Sequence, residues 1–172
     1  MCAVATGTGI PFAARRAGVA GHADGALQHN QREHEGGADV TVREIIPTHP
    51  QPTSVDRAVL IRCITECSDC ADSCTSCADA DLAEPDVQDL VRCIRLCLDC
   101  SDVCTTTGRI ATRQTSTDVD VLRASVEGCA TACRVCRDEC ERHASHHEHC
   151  RLCAESCRRC EDACRALLAA LG

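Results

Sequence analysis

Eighteen of the nineteen cysteines in this chain fall into four runs that alternate steps of three and four residues. The first run is Cys63, Cys67, Cys70, Cys74 and Cys77, and the second is Cys93, Cys97, Cys100 and Cys104. The third is Cys129, Cys133, Cys136 and Cys140, and the fourth is Cys150, Cys153, Cys157, Cys160 and Cys164. Residues three and four apart on an α-helix point the same way, so each run predicts one helix with a continuous sulfur stripe. Four striped helices bury their stripes by packing them together. The short connections between them make neighbours antiparallel. The expected fold is therefore all-α, an up-down-up-down four-helix bundle with a Cys-lined interior.

Composition limits the alternatives. The chain of 172 residues has no Trp, no Tyr and a single Phe, Phe12, which lies outside the proposed bundle. Apolar burial is thin for that size, although a free thiol packs as a small hydrophobe. The formal charge of −8 comes without a basic block, which argues against nucleic-acid or anionic-membrane partners. No stretch approaches the ~20 apolar residues that span a bilayer. Arg15-Arg16 is followed by Ala17-Gly18-Val19-Ala20-Gly21-His22 rather than by the apolar core of an export signal. A cytoplasmic location, where thiols stay reduced, is expected.

Residues 1–52 show no sustained period and read as a flexible or loosely docked, mostly irregular N-terminal extension, with one short element over Val40 to Ile46. The bundle is expected over residues 53–171. Its first helix should start at Thr53 or Ser54 and run to about Ala80, and Pro85 should open the second, which runs to about Thr112. The third should start at Ser116 or Thr117, where Thr117 and Asp120 have capping-box spacing, and the fourth has a similar box in Ser145 and Glu148.

Extending each stripe beyond its last sulfur gives the bundle two unlike ends. One receives Leu60, Thr107, Ala111, Leu122, Val126, Leu167 and Leu171, an apolar plug. The other receives Asp81, Leu90, His143, His146 and His147, with His149 close by. Imidazole binds soft and borderline metals at neutral pH, so this end reads as a polar mouth for a metal ion. His22, His29, His34 and His49 share no spacing and read as solvated residues, and Cys2 is off-pattern.

Cysteine as core filler does not explain eighteen residues in register. A disulfide scaffold is disfavoured, because neighbours on one helix face have Cβ atoms ~5–6 Å apart and a disulfide needs ~3.5–4.5 Å. Redox CxxC motifs are single and partly exposed. Metal storage remains. Softness points to Cu(I), Zn(II) or iron–sulfur clusters. Zinc and clusters require four ligands converging on a point, whereas this spacing spreads sulfur along a line. Eighteen thiolates with four zinc ions leave a charge of about −10 buried, and eighteen Cu(I) ions leave none. Multiple Cu(I) ions per chain fit better; zinc or cadmium buffering of metallothionein type is the alternative. A thiol or iron–sulfur redox protein is the more distant one, and no enzyme activity is expected.

The CxxxC and CxxC alternation in four consecutive helices, with His143, His147 and His149 at the junction of the last two, resembles the bacterial copper storage proteins of the cytosolic branch. The resemblance covers about residues 53–171. It implies a bundle that assembles as a homotetramer and holds many Cu(I) ions inside each protomer. It also implies that His143, His147, His149 and Asp81 receive copper at the open end.

Overall fold

The computed structural model describes residues 41–53 and 55–172. Four long helices dominate: α2 (Arg57–Ala83), α3 (Val87–Thr112), α4 (Val119–His143) and α5 (Glu148–Leu171), preceded by the single turn α1 (Val42–Ile45) and a 3-10 turn over Ile46–Thr48. At 27 residues α2 is about 40 Å long. It packs against α3 and α5, and α4 packs against the same two helices. Sulfur contacts set the directions: Cys63 at the start of α2 meets Cys164 near the end of α5, and Cys77 near its end meets Cys150. Cys93 likewise meets Cys140 while Cys104 meets Cys129, so α3 and α4 are antiparallel. The result is the expected up-down-up-down bundle.

The caps follow local chemistry. The Asp56 carboxylate accepts from the amides of Ala58 and Val59 at 2.9 and 3.1 Å, so α2 starts at Arg57, three residues beyond the later of the two expected starts, Thr53 and Ser54. Asp118 caps α4 in the same way, accepting from Asp120 and Val121. The expected Thr117–Asp120 box does not form, because the Thr117 hydroxyl donates back to the carbonyls of Arg113 and Gln114 and closes α3. Nor does Ser145 cap α5: His147 is the N-cap and Glu148 is bound to Arg151. Pro85 lies in the turn between α2 and α3, and α3 opens two residues later at Val87.

Ile46 is buried in the core, so this part of the segment before Pro52 packs on the bundle. The expectations for Cys2, His22, His29 and His34 lie outside the described residues. His49 is half-buried, and its Nδ1 accepts from the Gln51 amide. Gly108, which as a residue type weakens a helix, sits where α3 runs close to α2; a Cβ there would lie 3.4 Å from that of Cys67. Ser101 crosses the same interface, donating to the Ala71 carbonyl at 2.9 Å and pairing with Thr75 at 2.8 Å. On the α4–α5 side the buried Glu161 carboxylate is held by Arg137 and Arg165.

Candidate metal centre

All eighteen described cysteines are buried and free. Their sulfurs touch along and across the helices at 3.5–4.0 Å, well beyond the ~2.05 Å of a disulfide. A path of such contacts can be followed down the bundle. It runs from Cys150 to Cys93 at 4.0 Å, to Cys140 at 3.6 Å, to Cys97 at 3.7 Å and to Cys153 at 3.9 Å. From there it continues to Cys74 at 3.7 Å, Cys70 at 3.9 Å, Cys133 at 3.9 Å, Cys104 at 3.5 Å and Cys129 at 3.6 Å. Cys164, within 4.8 Å of Cys129, and Cys63, 3.9 Å from Cys164, complete it next to the plug. The alternating spacing puts sulfur at every inward turn of each helix. Antiparallel packing then levels the four stripes with one another.

One sequence expectation needs correction. Sulfurs do converge four at a time, because facing helices complete what a single stripe cannot. Cys67, Cys129, Cys160 and Cys164 lie with their ligand atoms within 4.8 Å of one another, as do Cys77, Cys93, Cys97 and Cys140. So do Cys70, Cys74, Cys100 and Cys157, and Cys74, Cys136, Cys153 and Cys157. The groups overlap: Cys74 and Cys157 belong to both of the last two. A structural zinc takes four ligands for itself, so overlapping groups cannot all be filled that way. Bridging thiolates, each shared between ions, match the overlap.

The plug end is as the stripes require: Leu60, Thr107, Ala111, Leu122, Val126 and Leu167 are buried, and Leu171 is partly so. At the opposite end Asp81 and Leu90 are fully buried. Oδ1 of Asp81 accepts from His149 Nε2–H at 2.9 Å and from the Cys150 thiol at 3.4 Å, joining an imidazole to the first sulfur of the path. Its Oδ2 has no hydrogen-bond partner. Burial, then the neighbouring Cys93, pushes the Asp81 carboxyl above its ordinary range, against the opposing pull of His149 and Cys150.

The four histidines separate. His149 touches Asp81, and the His147 ring lies 5.4 Å from it, centroid to centroid. His147 reaches Glu84 through Nδ1 at 3.3 Å and Asp86 through Nε2 at 3.4 Å. Burial works against its protonation, but the Glu84 hydrogen bond and the Asp86 and Glu84 charges outweigh it and raise its pKa. His143 instead faces Glu139 at 3.6 Å, a buried carboxylate also held by Arg92 and Arg142. His146 is exposed in the α4–α5 turn. Sequence reading missed Glu84, Asp86 and Glu139. Glu84 was within reach, since it continues the α2 stripe three residues past Asp81. Beside the mouth, a groove of about 350 Å³ is lined by Asp72, Ser73, Ser76, Cys77, His149, Leu152 and Cys153.

The chain is similar to known copper storage proteins. A family model described as Csp, copper storage protein, matches residues 56–169. The solved structure of the copper storage protein Ccsp from Streptomyces lividans, loaded with 10 copper equivalents, is 53% identical with a TM-score of 0.74, covering 76% of this chain and 99% of that one. A structure described as copper loading to a cytosolic copper storage protein from the same organism, with five coppers, is 57% identical with a TM-score of 0.67, covering 67% and 97%. A histidine-to-alanine variant of Ccsp is 56% identical with a TM-score of 0.68, covering 69% and 99%. No curated protein sequence matches. Among the described residues no helix is long and apolar enough to cross a membrane.

Proposed function

The chain belongs to the copper storage protein family, and from that premise we propose that it stores and detoxifies Cu(I) in the cytoplasm, without catalytic turnover. The observation that carries this reading is the sulfur path from Cys150 to Cys63 and Cys164, closed by aliphatics at one end and headed by Asp81 and His149 at the other. The storage unit is the bundle of residues 53–171, and its ligands are the eighteen buried thiols.

Copper is the cargo. It arrives at the mouth, where His149, His147 and His143 receive it, with His146 in the same turn. Asp81 supports the first transfer. Its carboxylate already accepts the Cys150 S–H, so it can take that proton as the sulfur closes on copper. The ion then moves inward by exchange, one sulfur ligand replacing another across gaps of 3.5–4.0 Å. Shared thiolates keep the loaded core near neutral, which a buried site requires. The chain assembles as a homo-oligomer, a tetramer by resemblance, and exposed Val91 and Leu98 supply apolar surface for it.

Stopped-flow loading of reduced protein tests the mouth. Replacing His143, His147 and His149 together by alanine should slow Cu(I) uptake at least roughly ten-fold while the final loading stays close to that of the parent, since no thiol is removed. Unchanged rates would remove the histidines from the path.

A further inference from the structure

His147 and His149 are arranged alike. Each has Nε2 at an aspartate: His149 lies 2.9 Å from Asp81 Oδ1 and His147 lies 3.4 Å from Asp86 Oδ2. Each has Nδ1 toward the same oxygen, Oε1 of Glu84, at 3.3 Å from His147 and 3.9 Å from His149. A carboxylate on one imidazole nitrogen fixes the ring, and a metal ion on Nδ1 would take the place of the proton that His147 donates to Glu84. Two braced imidazoles and a carboxylate oxygen therefore converge, and the Glu84 side chain is one-third exposed, which leaves positions open to solvent.

We propose that Glu84, His147 and His149 form a site for one divalent borderline cation, of the Cu(II) or Zn(II) type, seated outside the thiol core. The ligand chemistry separates the two cargoes. Cu(I) binds imidazole in passing but prefers soft sulfur, and this set holds no sulfur. Imidazole with carboxylate suits divalent first-row ions, with Cu(II) bound most tightly among them. The charges agree: Asp81, Glu84 and Asp86 surround the site with carboxylates, which a doubly charged ion offsets better than a singly charged one. The ligands lie on two separate segments. Glu84 ends α2, while His147 and His149 open α5. A bound ion ties these segments together across the mouth, so it also stands in the way of Cu(I). This proposal builds on the reading of the same end as copper's doorway and gives it a second class of ligand.

Co(II) is the probe, added to full-length protein whose thiols are already filled with Cu(I) under anaerobic conditions. About one equivalent should bind in the parent, with weak visible bands, no intense near-ultraviolet sulfur-to-cobalt absorption, and two sets of paramagnetically shifted imidazole resonances. Glu84→Gln and His147→Ala should each weaken Co(II) binding at least roughly ten-fold. Binding that is equally tight in both variants, or that shows sulfur-to-cobalt absorption, overturns the site. If Co(II) fails to bind while His149→Ala still slows Cu(I) uptake, the divalent site falls and the doorway stands. If His149→Ala leaves uptake unchanged while Co(II) binds as expected, the doorway falls and the divalent site stands. The shifted resonances are read on the unmutated chain, so the test survives a variant that folds poorly.

Discussion

Filling the thiol core with Cu(I) should raise the melting temperature of the reduced protein by more than ~20 °C, as read by circular dichroism or calorimetry. The reason is the make-up of the copper-free core. Its large aliphatics are few, Leu60, Leu122, Val126 and Leu167 at the plug, Leu90 at the mouth, and Ile46 and Ile64 besides, and between the ends the stripe positions hold cysteine with small residues such as Ala71, Ala78, Ala154 and Ala163 around them. A thiol buries less apolar surface than a leucine, so the middle of the bundle contributes little beyond close packing. A ligand that binds only the folded state adds ~2.7 kcal/mol at a hundredfold excess over its dissociation constant. Several such ions add more than ~10 kcal/mol, and each kcal/mol moves the midpoint by ~2–4 °C in a chain of this size. Copper bridging sulfurs such as Cys104, Cys129 and Cys160 also ties α3, α4 and α5 to one another. A shift below ~5 °C would place the copper outside the bundle.

The second large effect is proton release. In the copper-free core, hydrogen bonds from neighbouring sulfurs hold the protons on Cys67, Cys74 and Cys104 above the ordinary thiol range, and burial adds to this. Others run the opposite way through the same sulfur hydrogen bonds: Cys70, Cys93, Cys100, Cys129 and Cys153 are held below the ordinary thiol range, Cys63 is lowered to about 5 chiefly by Cys164, and Cys140 to about 7 chiefly by Cys136. Copper needs thiolate, so loading at neutral pH expels up to one proton per thiol engaged, and fewer where the lowered thiols take part. Each proton released per ion strengthens binding about tenfold per pH unit. Loading in weakly buffered solution with an indicator measures the count, and a pH-independent affinity would contradict it. The sign for stability is opposite. A thiol whose folded pKa is raised contributes stability that is complete below the unfolded value near 9 and is lost as pH rises. The copper-free protein should therefore melt earlier above pH ~9, where the loaded protein, its thiols already ionised on copper, changes little.

Much of this was legible in the sequence because one residue type at one spacing encodes both the helix and its buried face. The cysteine rhythm fixed four helices, the seam and the direction of each stripe. Continuing it reached the plug residues Leu60, Val126 and Leu167 and the buried Asp81. The end of α3 at Thr112 followed from the same pattern. Helix starts were harder, since a hydroxyl that could cap has other partners: Thr117 turns back to close α3, and Asp118 caps instead. The four-sulfur groups were hidden because they depend on how the stripes of different helices are levelled, which no single stripe states. Glu84 and Asp86 were hidden for a similar reason, as the turn after α2 and the start of α5 meet only in the folded bundle. His143 is legible in register but not in contact: the stripe brings it to the mouth, and the Glu139 carboxylate 3.6 Å from its ring is seen only in the fold.

The claim that the seam is a multi-ion Cu(I) store is tested most directly by anaerobic titration of the reduced protein with Cu(I) against a competing chelator. The expected result is saturation well above one copper per two of the eighteen core thiols, since shared thiolates let each sulfur serve more than one ion. Saturation at about four ions, whether copper or zinc, would mean separate four-sulfur sites and would contradict a continuous copper store.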